Sequence, residues 1–323
     1  MKTSINIELT NKCNASCLTC PREYIKDIGE MSIETFKLLL KRIYQDRKRI
    51  SMVNMSGYGE GVMHKNFFKI LELIKEFNNN LVRQKEKPLK FALVTNGQDL
   101  NERKLRAIEG VLDRVSISFA TINPKNYERI HKGLNYDKVV FNIELARKIL
   151  RKTRIVLHLT PTKFTMQDIE PTVKYWRKEG IREIILFPFT FNRAGSLKIK
   201  DNLEINQKRN LELARKLRLK QLEEVFIPGM KDFLAILTKK VPCLARLACL
   251  YIDWKGNYHY CINDIAGKHI TGNIKEKSIG EILKLHDKIY FSNKLCSRCN
   301  MRSGITKSSL VKIILNSLLA MKA

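Results

Sequence analysis

The strongest constraint on the fold of this chain is an alternation of six β-rich runs with helical runs between them over residues 1–190. Strand candidates fall at 4–9, 50–56, 90–95, 114–119, 154–160 and 183–187, with amphipathic segments near 32–48, 65–77, 100–110, 135–151 and 168–179. Ser32, with Glu34 and Thr35 behind it, marks the start of the first helix, and Asp168 with Pro171 in the next turn marks the fifth. Six β-α units in series imply a parallel sheet with right-handed crossovers. In such folds the chemistry gathers at the carboxyl ends of the strands, so the residues following each strand matter most.

Strand one ends in Cys13-Asn14-Ala15-Ser16-Cys17-Leu18-Thr19-Cys20, three thiols spaced CxxxCxxC. Three ligands do not close a four-coordinate structural metal site. They can hold three irons of a [4Fe-4S] cube and leave the fourth open for chemistry. Thiolates at short spacing also suit zinc, which is the competing reading. Strand two ends in Gly57-Tyr58-Gly59-Glu60-Gly61. Glycines there would let the backbone approach a ligand, and a carboxylate would accept from an ammonium group; an ordinary strand-helix turn is the plainer alternative. Strand three ends in Thr95-Asn96-Gly97 and strand four near Ser118, where turn chemistry alone also explains the residues. His158, on strand five, either lines the interior or is a core histidine satisfied by backbone. Arg193, in Asn192-Arg193-Ala194-Gly195 after strand six, is a candidate grip for a carboxylate.

Residues 201–240 read as a charged helical linker. Beyond them lie five further cysteines, Cys243, Cys249, Cys261, Cys296 and Cys299. Residues 250–260, centred on Lys255-Gly256-Asn257, read as a β-hairpin with cysteines at its base. Gly272-Asn273-Ile274 then leads to a helix starting at Ser278. A basic amphipathic helix is expected at 305–322, with Leu310, Ile314 and Leu318 on one face, either packed on the barrel or docked on a membrane surface. The eight cysteines sit at the two ends of the chain, and no apolar signal segment precedes the first strand. That usage fits thiolate ligands in a reducing cytoplasm better than a disulfide framework. No apolar run is long enough for a transmembrane helix. The net charge of +28 suits an acidic partner such as nucleic acid, an acidic peptide or anionic lipid, or else solvated faces spread along the chain.

Together these patterns resemble the radical S-adenosylmethionine (SAM) superfamily. The Gly57–Glu60 loop is similar to its Gly-Gly-Glu-Pro element, with Gly61 in the proline position. Thr19 stands where an aromatic residue is usual, and Pro21-Arg22 is similar to subfamilies that read CPR. The spacing C-x12-G-x4-C through Cys243, Gly256 and Cys261, then CxxC at 296–299, resembles the SPASM/Twitch auxiliary-cluster domain. With no cysteine after Cys299, the one-cluster Twitch form fits better.

The resemblance implies an α/β fold: a partial (βα)6 TIM-like barrel over 1–200, a linker over 201–240, a Twitch-like domain over 241–300 and a terminal helix over 301–323. It implies a SAM-binding cluster on Cys13, Cys17 and Cys20, with SAM contacts from Gly57, Tyr58, Gly59, Glu60, Asn96 and Ser118. A second [4Fe-4S] cluster is expected on Cys243, Cys261, Cys296 and Cys299. Cys249 is an alternative ligand, a buried bystander or a hydrogen-atom donor, and His158 and Arg193 are substrate-contact candidates. The implied activity is reductive cleavage of SAM to a 5'-deoxyadenosyl radical that takes a substrate hydrogen atom, with electrons from a flavodoxin or ferredoxin. Oxidation through the auxiliary cluster would give dehydrogenation of a sugar- or cyclitol-like small molecule. Maturation of a ribosomal peptide by epimerisation or crosslinking is the alternative. A zinc-stabilised, basic nucleic-acid-binding protein is the reading from another class.

Overall fold

A computed structural model of the chain describes residues 2–187, 207–221, 249–265 and 267–288. Arg193, Cys243, Cys296, Cys299 and the expected terminal helix lie outside the described residues. The strands are β1 (Thr3–Ile7), β2 (Ile50–Met55), β3 (Phe91–Thr95), β4 (Arg114–Ser118), β5 (Arg154–Leu159), β6 (Glu183–Leu186), β7 (Lys220–Gln221), β8 (Cys249–Ile252), β9 (Asn257–His259) and β10 (Ile270–Asn273). They form one sheet in the order β10-β9-β8-β1-β2-β3-β4-β5-β6-β7. Pairing is parallel from β8 through β7 and antiparallel in the β8-β9-β10 meander. The helices are α1 (Ile33–Asp46), α2 (Phe67–Arg83), α3 (Glu102–Ile108), α4 (Pro124–Ile130), α5 (Tyr136–Ile149), α6 (Ile169–Lys178), α7 (Gln207–Lys216) and α8 (Ile279–Lys288).

Local chemistry accounts for the helix starts. Ser32 Oγ accepts from Thr35 N at 3.1 Å, capping α1, an interaction worth about 1 kcal/mol. Phe36, Leu39, Leu40 and Ile43 then recur at helical spacing and are buried. At α8, Ser278 Oγ accepts from Glu281 N (3.2 Å) while Glu281 Oε2 accepts from Ser278 N (2.7 Å), a reciprocal capping box.

One face of the sheet is apolar and covered by helices: Ile5, Ile7, Val53, Met55, Leu93, Val115, Ile117, Leu157 and Leu159 all join the main core. The opposite face carries Asn6, Glu8, Asn54, Arg114, Ser116, Ser118 and His158. A parallel sheet covered by helices on both faces reads as continuous apolar runs. Here the alternation is polar, as suits the inner wall of an open barrel. Arg114 reaches across β3, over the small Ala92, to Asn54 Oδ1 (3.1 Å), and Asn54 Nδ2 in turn donates to Asn6 Oδ1 (3.1 Å).

Two features depart from the sequence reading. The hairpin strand β8 pairs directly with β1, Ser4 opposite Cys249 and Asn6 opposite Tyr251, so the cysteine-rich segment extends the barrel's own sheet. The linker is not helical throughout: after α7, residues 220–221 add a strand to β6. Ala214, Leu217 and Leu219 bury a small apolar face against the core there.

Candidate active site

The cysteine loop leaves β1 at the carboxyl end of the sheet and is pinned from three sides. The Arg22 guanidinium donates to the carbonyls of Asn11 (3.0 Å), Cys13 (3.3 Å) and Ala15 (3.1 Å). Ser16 N and Leu18 N donate to Lys132 O (2.7 Å) and Ile130 O (2.9 Å), at the carboxyl end of α4. Glu60 N donates to Lys12 O at 2.7 Å. Gly59 makes that approach feasible, because a Cβ there would stand 2.2 Å from Thr10 O and 2.6 Å from Lys12 O.

The loop after β2 is organised by two buried carboxylates. Glu60 Oε2 accepts from Asn96 N (2.6 Å) and its Oε1 from Thr95 Oγ1 (2.7 Å), tying the loops after β2 and β3 together. Burial raises the Glu60 carboxyl to about 6, against the pull of those donors. With both oxygens engaged, the side chain acts as a staple, and the exposed backbone of Gly57 is the part of this loop that faces solvent. Glu8 Oε1 accepts from Tyr58 N at 2.9 Å, and a Cβ on Gly57 would meet Glu8 Cγ at 2.6 Å. Burial also raises the Glu8 carboxyl above the usual carboxylate range.

Asn96 reaches the cysteine loop itself, with Nδ2 2.7 Å from Asn14 Oδ1 and 3.8 Å from Cys13 Sγ. Ser118 is half-buried on the inner face, opposite His158 on β5. The His158 ring stacks on Phe187 at 4.6 Å. Desolvation, with Arg114 nearby, holds its pKa down at about 3, so the ring is neutral.

Cys13, Cys17 and Cys20 are half-buried free thiols. Burial pushes Cys17 up to about 12, and its neighbours Cys20 and Cys13 push it further in the same direction. Burial also raises Cys13. Sulfurs that penalise one another's charge when ionised suit a bound metal centre, whose positive charge would reverse that balance. The residues therefore fit a cluster held by three thiolates. His131 Nδ1 stands 3.4 Å from Cys17 Sγ, at hydrogen-bonding distance to a ligand sulfur.

The other thiols among the described residues, Cys249 and Cys261, lie elsewhere. Cys249 opens β8 opposite Ser4, at the amino end of β1, and Cys261 follows the end of β9 by two residues. Ser4, the β1 partner of Cys249, and Leu9, where the cysteine loop begins, are about 16 Å apart along an extended strand. Tyr58 bridges the two regions, stacking edge-on to Tyr251 at 5.8 Å and donating its hydroxyl to Ile262 O.

The sequence reading missed Arg22 as a loop clamp, Glu8 and His131. Glu8 alone carried a legible signal, an acid at the interior phase of an otherwise alternating strand.

Against this geometry stand the matches to known proteins. The chain belongs to the radical SAM superfamily, whose model matches residues 7–188. A second model, an iron-sulfur cluster-binding domain of the SPASM type, matches residues 243–300. The cofactors are thus a SAM-binding [4Fe-4S] cluster, SAM and an auxiliary iron-sulfur cluster, and the protein is an enzyme. Curated relatives carry the name probable GTP 3',8-cyclase. That of Methanocaldococcus jannaschii is 27% identical over 187 residues, covering 57% of this chain and 58% of the relative. That of Methanococcus maripaludis strain C6 is 30% identical over 194 residues, with the same coverages. The match thus spans less than two thirds of these relatives' length. Among solved structures, anSMEcpe with bound AdoMet superposes with a TM-score of 0.71 at 16% identity, covering 99% of this chain and 97% of that one. Streptococcus suis SuiB bound to the precursor peptide SuiA gives 0.67 at 14% identity, covering 95% and 68%. BtrN in complex with AdoMet and 2-DOIA gives 0.53 at 16%, covering 93% of each. At these identities the structures speak to fold alone. Among the described residues, no helix is long and apolar enough to cross a membrane.

Proposed function

We propose that this chain is a cytoplasmic radical SAM oxidoreductase that dehydrogenates a hydroxyl-bearing small molecule of sugar or cyclitol type. The observation carrying this reading is one hydrogen-bonded sheet with thiols at both ends. The cysteine loop leaves the carboxyl end of β1, while Cys249 lies at the amino end of β1 and β8, opposite Ser4. The first cluster, when bound, supplies the electron that splits SAM to methionine and a 5'-deoxyadenosyl radical able to take a hydrogen atom from carbon. The second supplies a sink for the electron left on the substrate.

The protein's own residues bind and orient. Cys13, Cys17 and Cys20 hold the first cluster. The Gly57–Gly59 backbone, positioned by Glu60, Glu8 and Asn96, lines the SAM side. Ser118 borders SAM on the next strand, and Asn6, Asn54, Arg114 and His158 form the polar inner wall facing the substrate. Such a wall of donors and acceptors suits hydroxyl groups. Cys261 is an auxiliary ligand together with Cys243, Cys296 and Cys299, and Cys249, at the start of β8, is the alternative ligand. A hydrogen-donor role for Cys249 is less well supported, because its strand position is remote from the cysteine loop.

A second reading is maturation of a ribosomal peptide. It is supported by the likeness in fold to a protein solved with its precursor peptide. The relatives' GTP is a third hydroxyl-bearing candidate. The test is anaerobic reconstitution followed by reaction with SAM, dithionite and a panel of cyclitols, sugars, GTP and short peptides. The expected result is 5'-deoxyadenosine together with a cyclitol or sugar product two hydrogens lighter. Turnover of peptide or GTP alone would overturn the substrate assignment.

A further inference from the structure

Arg114 opens β4 on the inner face of the sheet with a charge that no acid among the described residues neutralises. Its Nη2 donates to Asn54 Oδ1 at 3.1 Å and lies 3.4 Å from Met52 Sδ, both neutral. Its Nε is buried and has no hydrogen-bond partner among the described residues. The nearby acids are turned elsewhere. Glu183 pairs with Arg154 at 3.0 Å, and Asp113 accepts from Phe91 N at 2.8 Å. Glu8, at the carboxyl end of the wall, accepts from Tyr58 N at 2.9 Å. Burial, with Arg154 alongside, lowers the Arg114 pKa, as befits a guanidinium short of a counter-charge. At the next inward position of the same strand Ser116 is fully buried, and its Oγ also lacks a partner among the described residues. A buried polar atom without a partner costs free energy. Two of them side by side on one wall, next to an unneutralised charge, point to a ligand.

We infer that Arg114 and Ser116 form a subsite for an anionic group on the substrate, a carboxylate or a phosphate monoester. The inference rests on the reading of the substrate as a hydroxyl-bearing small molecule, and narrows it to a sugar acid or a sugar phosphate. A planar guanidinium offers paired N–H donors that match the oxygens of either anion. The Ser116 hydroxyl adds a further donor on the same wall. Asn6 and Asn54, linked to each other at 3.1 Å and to Arg114, are neutral and suit the substrate's hydroxyls. Arg114 stands four residues before Ser118 on β4, about 13 Å of extended strand. The anionic group is therefore held at the end of the substrate remote from SAM, and the carbon to be oxidised is presented at the level of Ser118.

The test is anaerobic isothermal titration calorimetry of the reconstituted, SAM-bound enzyme with three probes: glucose 6-phosphate, glucuronate and neutral glucose. Arg114→Gln, Arg114→Lys and Ser116→Ala are compared with the wild type, and circular dichroism and iron content establish that each is folded and loaded. An anionic probe binding the wild type at least roughly tenfold more tightly than glucose supports the subsite, provided Arg114→Gln abolishes that preference and Arg114→Lys keeps part of it. Ser116→Ala should weaken the same probe roughly fivefold, the worth of about one neutral hydrogen bond. The tighter of the two anionic probes identifies the group as phosphate or carboxylate. Glucose binding as tightly as both anions, failure of both anions to bind, or an undiminished preference in Arg114→Gln overturns the inference. Should Arg114→Gln not fold, the wild-type selectivity and Ser116→Ala decide it. Binding is read without turnover, so an enzyme that holds the anions through Arg114 yet oxidises neither sinks the dehydrogenation reading alone.

Discussion

Glu60 shows how a single buried acid sets the geometry of the SAM-side loops. Its oxygens accept from Asn96 N and Thr95 Oγ1, and burial raises its pKa above the usual carboxylate range to about 6. A raised folded-state pKa means the folded protein binds the proton more tightly than the unfolded chain. The contribution to stability is therefore fully present below pH about 4.5 and lost as pH rises through about 6. In a Glu60→Gln variant that increment, on the order of 2 kcal/mol, should vanish from the difference in unfolding free energy between pH 4.5 and 7. Parallel denaturant titrations at the two pH values measure it, and an unchanged pH dependence would contradict the staple role. His131 offers a second residue-level prediction. Its ring is desolvated, with a pKa lowered to about 4, and faces Cys17 Sγ at 3.4 Å. Hydrogen bonds to ligand sulfurs raise cluster potentials. His131→Phe should thus shift the midpoint of the first cluster to more negative values in an EPR-monitored redox titration, leaving iron content unchanged.

At the scale of elements, β8 matters most, because it joins the cysteine-rich segment to β1 by four register pairs. Cys261→Ala should lower iron content from about eight per chain towards four while leaving the first cluster's EPR signal intact. The same loss in Cys249→Ala would make Cys249 the alternative ligand. Full iron content in Cys249→Ala, with turnover abolished, would instead revive the hydrogen-donor role. Much of this architecture was legible beforehand. The six core strands stood out because apolar residues alternate along them, and the hairpin because Lys255-Gly256-Asn257 marks its turn, where Gly256 takes a φ of +84°. What escaped was non-local. The parallel pairing of β8 with β1 joins residues some 245 positions apart, and no periodicity encodes it. Helix α4, which starts at Pro124 behind the Asn123 cap, was not singled out in the sequence. Arg22, Glu8 and His131 act through contacts whose partners only the fold brings near, as with Glu8 and Tyr58, fifty positions apart. Arg114 was read as a strand end, and its reach over Ala92 to Asn54 depends on the order of three strands.

For the molecule as a whole, the sheet presents a polar inner wall of Asn6, Asn54, Arg114 and His158, with the cysteine loop at the carboxyl end of β1 and Cys249 at its amino end. The central claim is that the cysteine loop carries a cluster whose fourth iron is open to SAM. The most direct measurement is reductive SAM cleavage by the anaerobically reconstituted, dithionite-reduced enzyme, quantifying 5'-deoxyadenosine and methionine by chromatography. The account predicts equal amounts of the two from the wild type, and none from Cys13→Ser, Cys17→Ser or Cys20→Ser. Intact SAM after incubation with the wild type, or undiminished cleavage by any one of the three variants, would contradict it.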